Sequence, residues 1–342
     1  MTAEDIKQSK DFQNPVCMRD IEEAAHSIHE VGRVTPLIQS MFLSRNIAHG
    51  EVYLKLENMQ LTGSFKFRGA FNKINHLSDA EKARGVITAS AGNHAQGVAL
   101  TSHLLGIDSV VIMPHGAPIA KQEATAGYGA KVILHGDNFD EAHQFMEEEA
   151  ERKGYTIVDP YNDVDVIAGQ GSIGLEILDQ MWDVDTVVGG GGLISGIATA
   201  LKSFNPNIHI VGVQSENVHG MTASYEANKL TTYSKGKTLA DGTAVATPGD
   251  ITFPITKNLV DEMVLVNEEE IAKAMKDLLQ RTKTVAEGAG ALPTAALEAK
   301  KIDSKWLNHK KVVALVSGGN VDLEQVSKNI DHFLVTTNHS VG

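Results

Sequence analysis

Short β-branched runs alternate with helix-length segments along most of the chain, and that alternation restricts the fold more than any other feature. The strand candidates are EVYLKLE (51–57), GVITAS (85–90), SVVIMP (109–114), AKVILHG (130–136), TIVDP (156–160), VDTVV (184–188), HIVGVQ (209–214), EMVLVN (262–267) and KVVALVSG (311–318). Between them lie segments such as DEAHQFMEEEAERKG and EEEIAKAMKDLLQRTK. Several runs are apolar without a period of two, the pattern of strands covered by helices on both faces. Alternating β and α at this spacing builds right-handed crossovers and mostly parallel sheets. The expected fold class is α/β, with two doubly wound, mostly parallel sheet domains. Closely spaced strands from 85 to 136, followed by the irregular DPYNDVDVIAGQG, predict a small domain at 71–160. It would be inserted into a larger domain made of 1–70 and 161–342.

Composition narrows the partners. The formal net charge of −13 opposes nucleic acid and anionic membrane surfaces. A single cysteine, Cys17, allows no intrachain disulfide, which suits a reducing, cytoplasmic compartment. The opening MTAEDIKQSKDF lacks the apolar core of a secretory signal. No apolar run nears the roughly 18 residues of a membrane span. The histidines show no H-E-x-x-H or similar spacing, so no metal site is expected.

In open α/β sheets, ligands gather where strands end and helices begin. Four such junctions carry unusual residues. In TGSFKFRGA, Ser64 suits an N-cap, and Phe67, Ala70, Phe71, Ile74 and Leu77 follow at helical spacing. Lys66 falls in the first turn, where the helix dipole disfavours a cation but not a neutral amine or an imine. In TASAGNHAQGVAL, the small residues Ser90, Ala91 and Gly92 precede Asn93 and His94, leaving backbone N–H groups open to a carboxylate or phosphate. In VVGGGGLISGIATAL, Gly189, Gly190, Gly191 and Gly192 run into a helix starting near Leu193, and such a run lets several N–H groups surround a phosphate. It is not a Walker loop, and Ser195 stands where the third glycine of a dinucleotide fingerprint belongs. In VVALVSGGNVD, a strand ends in the lone hydroxyl of Ser317. Alone, each motif has an ordinary reading, such as a snorkelling lysine or a plain turn. Together, an amine, a phosphate cradle, an anion pocket and a hydroxyl fit what pyridoxal phosphate needs.

The motifs ENMQLTGSFKFRGA, SAGNHAQG, GGGGL, TLADG and SGGN also stand in the order found in pyridoxal-phosphate serine/threonine dehydratases of the tryptophan-synthase-β fold (PLP fold type II). The resemblance spans about residues 20–330 and is strongest to the short catabolic threonine dehydratases, or threonine ammonia-lyases. It implies a homodimer or homotetramer that binds pyridoxal 5′-phosphate. It further implies β-elimination on an amino-acid substrate, L-threonine and also L-serine, giving a 2-oxo acid and ammonia. By the same resemblance Lys66 is the Schiff-base lysine, Phe65 packs beside the ring, and Asn93 meets the ring's 3′ oxygen. Gly189, Gly190, Gly191, Gly192 and the Leu193 N–H would hold the phosphate. Ser317 would face the pyridine nitrogen, and Ser90, Ala91, Gly92 and His94 the substrate carboxylate. Glu287 and the loop KTLADGTAVATPGD would border the site. Catabolic relatives are often activated by AMP, and Thr62, Gln96 and Asn320 match positions near that nucleotide, although Leu61 replaces a basic residue there.

Two departures set alternatives. VDTVV leads straight into the glycines about three residues short, which at roughly 3.3 Å per residue would displace the phosphate loop by about 10 Å. Uncompensated, that shortfall implies a dehydratase-like nucleotide-binding protein without activity. Serine racemases, the rival enzymes, carry a second serine where this chain has Ala91, and metal-binding carboxylates where it has Gln214 and Gly220. Racemisation is thereby demoted.

Overall fold

The computed structural model describes residues 12–47 and 49–322. The ends of the expected large domain, 1–11 and 323–342, lie outside them. The strands are β1 (Leu37–Gln39), β2 (Glu51–Leu56), β3 (Val86–Ala89), β4 (Ser109–Met113), β5 (Lys131–Leu134), β6 (Thr156–Ile157), β7 (Thr186–Gly190), β8 (His209–Ser215), β9 (Glu262–Val266) and β10 (Lys311–Val316). One sheet has the order β1-β2-β10-β7-β8-β9, with β1 antiparallel to β2 and the other pairs parallel. The second, β5-β4-β3-β6, is parallel throughout. The chain is α/β with two mostly parallel sheets, as the alternating pattern requires.

Helix cover on both faces explains the unbroken apolar runs. β3, β4 and β8 are buried at every position, whereas β5, at a sheet edge, exposes Lys131 and Leu134. In β10 the side chains divide: Val312, Ala314 and Val316 join the core under the Gly288–Glu298 helix, Val313 and Leu315 the core under the Leu193–Phe204 helix. That is the period of two acting within one buried strand.

Several strand ends differ from the sequence reading, each for a local reason. β1 is too short to show a period and has no counterpart there. β6 stops at Ile157 because the Asp159 carboxylate accepts the Tyr161 and Asn162 N–H groups at 2.8 and 2.6 Å, turning the chain. β10 stops at Val316 because another segment crosses its end: the Phe65 N–H donates to the Ser317 carbonyl at 3.1 Å, and Ser64 bridges Gly318. β7 is displaced toward the glycines, running 186–190 rather than 184–188.

Candidate active site

The crossing at the end of β10 carries Lys66. Ser64 does not cap the Lys66–Asn75 helix: Phe65 holds the N-cap position, and Ser64 is extended and committed to its bridge with Gly318. Just before it, Thr62 has φ 63 and ψ 8, a left-handed conformation rare for a β-branched residue. The turn is held by Gly319 N–H on the Gly63 carbonyl at 2.9 Å and Asn320 Nδ2 on the Thr62 carbonyl at 2.6 Å. The Lys66 amine donates to the Pro160 carbonyl at 2.6 Å and lies 5.2 Å from the centre of the Phe65 ring. Burial pushes this amine down to about 8, with Asp159 and Glu287 pulling the other way. A neutral form is therefore accessible near neutral pH.

The glycine run is divided. Gly189 and Gly190 are the last residues of β7, paired with Gly212 and Val213, and so belong to the ladder and not to the turn. A Cβ on Gly189 would lie 2.7 Å from Leu315 Cδ1, and one on Gly190 2.8 Å from the Val213 carbonyl oxygen, so close packing demands these two. The turn proper is Gly191, at φ +60, and Gly192, the N-cap of the helix that starts at Leu193. Carrying β7 two residues into the glycines offsets most, though not all, of the roughly three-residue shortfall before them. Gly191 and Gly192 then line one cleft with Lys66, about 440 Å³ with its solvent mouth included.

A polar chain lies beside the lysine. Asn93 Nδ2 donates to Glu287 Oε1 at 2.6 Å, and Asn93 Oδ1 accepts from Asn320 Nδ2 at 2.8 Å. Burial, reinforced by Asp241, pushes the Glu287 carboxyl up to about 7, against the pull of the Asn93 hydrogen bond. Ser317 is half-buried at the tip of β10, where its carbonyl takes the Phe65 N–H. Ser90 Oγ accepts the Gly92 N–H at 3.2 Å, and the Asn93–Leu105 helix begins immediately after, with first-turn N–H groups that have no partner in the helix.

The His94 side chain is committed away from the expected anion pocket. Its Nε2 faces the Val158 carbonyl at 2.9 Å, an atom that can only accept, so the proton sits on Nε2. Nδ1 is a buried atom without a hydrogen-bond partner, and burial with Lys66 nearby holds the ring pKa down to about 3. The neutral ring has no N–H to offer a carboxylate, which leaves only the His94 backbone. The residues expected near a nucleotide have local roles of their own. Thr62 and Asn320 belong to the lysine turn, and both Nδ2 hydrogens of Asn320 are spent on Thr62 and Asn93. Gln96 is buried on the Asn93–Leu105 helix.

The arrangement fits pyridoxal phosphate. A bare-backbone turn opens a helix on the same cleft as the buried amine, and a Cβ on Gly192 would lie 2.7 Å from Tyr161 Cβ. The family model described as pyridoxal-phosphate dependent enzyme matches residues 28–318. The chain belongs to the pyridoxal-phosphate-dependent enzymes. It is 64% identical over 330 residues to the catabolic L-threonine dehydratase of Staphylococcus aureus, covering 96% of this chain and 95% of that protein. Among solved structures it resembles maize serine racemase, with TM-score 0.87 and 33% identity over 95% of this chain and 99% of that one. It also resembles the processed form of threonine deaminase isoform 2 from Solanum lycopersicum, with TM-score 0.86 and 37% identity over 93% and 87%.

Around this pyridoxal-phosphate site stand residues that the motifs did not mark. Tyr161, Met221 and Thr252 line the cleft, beside Gln214 and beside Gly242, Thr243, Val245 and Pro248 of the loop KTLADGTAVATPGD, which was expected there. Asp159 acts on Lys66 from the turn after β6. The signal available for Asp159 and Tyr161 was the irregular DPYND itself, a long connection following a strand.

Proposed function

We propose that this chain is a threonine ammonia-lyase that converts L-threonine, and L-serine, to the corresponding 2-oxo acid and ammonia by β-elimination. One observation carries the reading: a buried lysine with its pKa lowered to about 8 shares a cleft with the bare Gly191–Gly192 turn. The relative of 64% identity is itself named as a catabolic L-threonine dehydratase.

Bound pyridoxal phosphate would supply an aldehyde for Lys66 and an electron sink for breaking the substrate's Cα–H bond. The residues divide the remaining work. Gly191, Gly192 and the Leu193 N–H offer a helix start to the phosphate. Asn93, oriented by its neighbours, has one Nδ2 hydrogen left for the ring's 3′ oxygen, and Phe65 flanks the lysine. Ser317 presents a hydroxyl, too weak an acid to keep a pyridine nitrogen protonated. Ser90 with the N–H groups of Ala91 and His94, joined by the Gly92 N–H once it turns from Ser90 Oγ, receives the substrate carboxylate. The Lys66 amine, neutral in part at pH 7, takes the α-proton, and the Pro160 carbonyl gives it a resting partner. Ala91 has no proton to transfer on the opposite face, so racemisation is disfavoured.

We further read 71–160 as a small domain within a larger one built of 1–70 and 161–342, the whole working as a cytoplasmic homodimer or homotetramer. No helix among the described residues is long and apolar enough to cross a membrane. AMP activation would have to use Thr62 Oγ1, Gln96 and the remaining Asn320 oxygen.

The deciding experiment adds pyridoxal phosphate to purified protein, dialyses away the excess and then adds L-threonine. A retained visible band that changes with threonine while 2-oxo acid accumulates is expected. A colourless protein, or a coloured one forming no 2-oxo acid, would overturn the reading.

A further inference from the structure

Two features of the lysine turn lack an explanation in the reaction itself: the strained Thr62, and the side chain of Asn320, which reaches into the site without facing the cleft. They are joined. Asn320 Nδ2 donates to the Thr62 carbonyl at 2.6 Å and to Asn93 Oδ1 at 2.8 Å.

The orientation of the whole chain follows from one atom. A backbone carbonyl can only accept, so the Asn320 atom facing Thr62 must be the NH₂ group. The same nitrogen faces Asn93, whose nearer atom must therefore be its oxygen. Asn93 Nδ2 is then turned toward Glu287 at 2.6 Å, with one hydrogen remaining. Reverse Asn320 and the order reverses: Asn93 would present oxygen to the Glu287 carboxyl. Packing leaves little slack, since a Cβ on Gly63 would lie 2.6 Å from Asn320 Oδ1.

We propose that Asn320 is a positioning residue whose Nδ2 group both pins the Thr62 turn that presents Lys66 and fixes which face of the Asn93 amide meets the cofactor. The inference rests on the proposed cofactor role of Asn93. It adds that a residue from the far end of the chain sets the direction of hydrogen bonding across Asn320, Asn93 and Glu287, linking β10 to the Asn93–Leu105 helix. Asp in place of Asn320 keeps the shape but offers oxygen to two oxygens. Asn93 must then flip, and its donor to the cofactor is lost.

The test uses pyridoxal 5′-phosphate as the probe, with unsubstituted protein, Asn320→Asp, Asn320→Ala, Asn93→Ala and the double variant Asn93→Ala/Asn320→Asp. Three quantities are read: cofactor affinity, the pH midpoint of the bound cofactor's visible band, and the urea midpoint of the cofactor-free protein. Asn320→Asp should weaken cofactor binding about tenfold or more, as expected for one charge-assisted hydrogen bond. It should also move the pH midpoint of the band, and in the Asn93→Ala background it should no longer do so. Asn320→Ala should weaken binding less than Asn320→Asp. A purely structural role would lower the urea midpoint and leave the band's pH midpoint in place, and that outcome overturns the proposal. So does an equal shift with and without Asn93. If Asn320→Asp does not fold, Asn320→Ala and Asn320→Ser take its place, with the same Asn93 dependence required. Failure of the unsubstituted protein to bind the cofactor would count against the proposed function; normal binding with indifferent Asn320 variants would count against this inference alone.

Discussion

A lysine pushed down to about 8 costs stability whenever it is charged, and this makes Lys66 testable without any substrate. The folded state holds the proton less tightly than the unfolded chain, whose lysine titrates near 10.5. The penalty is therefore full below pH 8 and disappears as pH rises toward 10.5. Lys66→Met should stabilise the cofactor-free protein at pH 7 by roughly 3 kcal/mol at most, the gain fading between pH 8 and 10.5 in urea titrations. Capture of pyridoxal phosphate by the native protein should rise with pH and level off above about 8, since only the neutral amine reacts. A capture rate flat from pH 6 to 9 would contradict that assignment. Gly192 gives a second residue-scale test. Its φ of −68 suits any residue, so its need is for space, not backbone freedom. Gly192→Ala must displace Tyr161, an overpacking cost of about 1–3 kcal/mol. Cofactor affinity should fall about tenfold or more by spectroscopic titration, with the protein still folded.

At the scale of elements, the helix bearing Lys66 is anchored by charges that no local pattern reveals. Two residues beyond the lysine, Arg68 is fully buried and forks onto Glu57 with both contacts at 2.8 Å, while its third nitrogen reaches Glu176 at 2.6 Å. Lys55, equally buried, meets the other Glu176 oxygen at 2.7 Å. Burial alone would raise the Glu176 carboxyl, but Arg68 and Lys55 hold it below the ordinary range. Two cations and two anions balance, tying β2 and the turn after it to the Lys66–Asn75 and Val164–Gln180 helices. Arg68→Met would leave Glu57 buried without its cation, a loss of about 3–5 kcal/mol measurable by urea denaturation. Adding Glu57→Gln should recover part of it; no recovery would mean that packing, not charge, dominates. Helical spacing marked Phe67, Ala70, Phe71, Ile74 and Leu77, and all five are buried, although the helix ends at Asn75. No pattern in the sequence marks Arg68 or Glu57, because Glu176, which completes the group, lies over a hundred positions from either. Ser64 had the chemistry of a cap, yet the crossing β10 claims it instead. The glycines were legible as a special run, but their split into ladder and turn is set by β8 and β10.

At the scale of the whole molecule, part of the cleft wall comes from one long irregular stretch. The stretch from Asn228 to Pro248 contains no strand and only a single short turn, Asp241–Thr243, yet Gly242, Thr243, Val245 and Pro248 line the cleft. Its outer half is exposed at Lys229, Lys235 and Lys237, and is fastened by the Lys235 N–H on the Asn217 carbonyl and the Leu239 N–H on Glu268. Trypsin can cut those lysines through either of two openings. If the stretch must lift off the cleft, bound cofactor opposes cutting by its own binding energy, about 2.7 kcal/mol at a hundred times Kd, or a hundredfold in rate. If only the outer half frays, the cofactor changes nothing. Because the inner half forms cleft wall and the outer half is pinned at both sides, lifting should carry most of the cutting. Pyridoxal phosphate should therefore slow cleavage at Lys235 and Lys237 at least tenfold, followed by mass spectrometry of timed digests. Equal rates with and without cofactor would make the exposed half an independent surface loop. The stretch would then be a fixed wall of the site and not a cover that moves with the ligand.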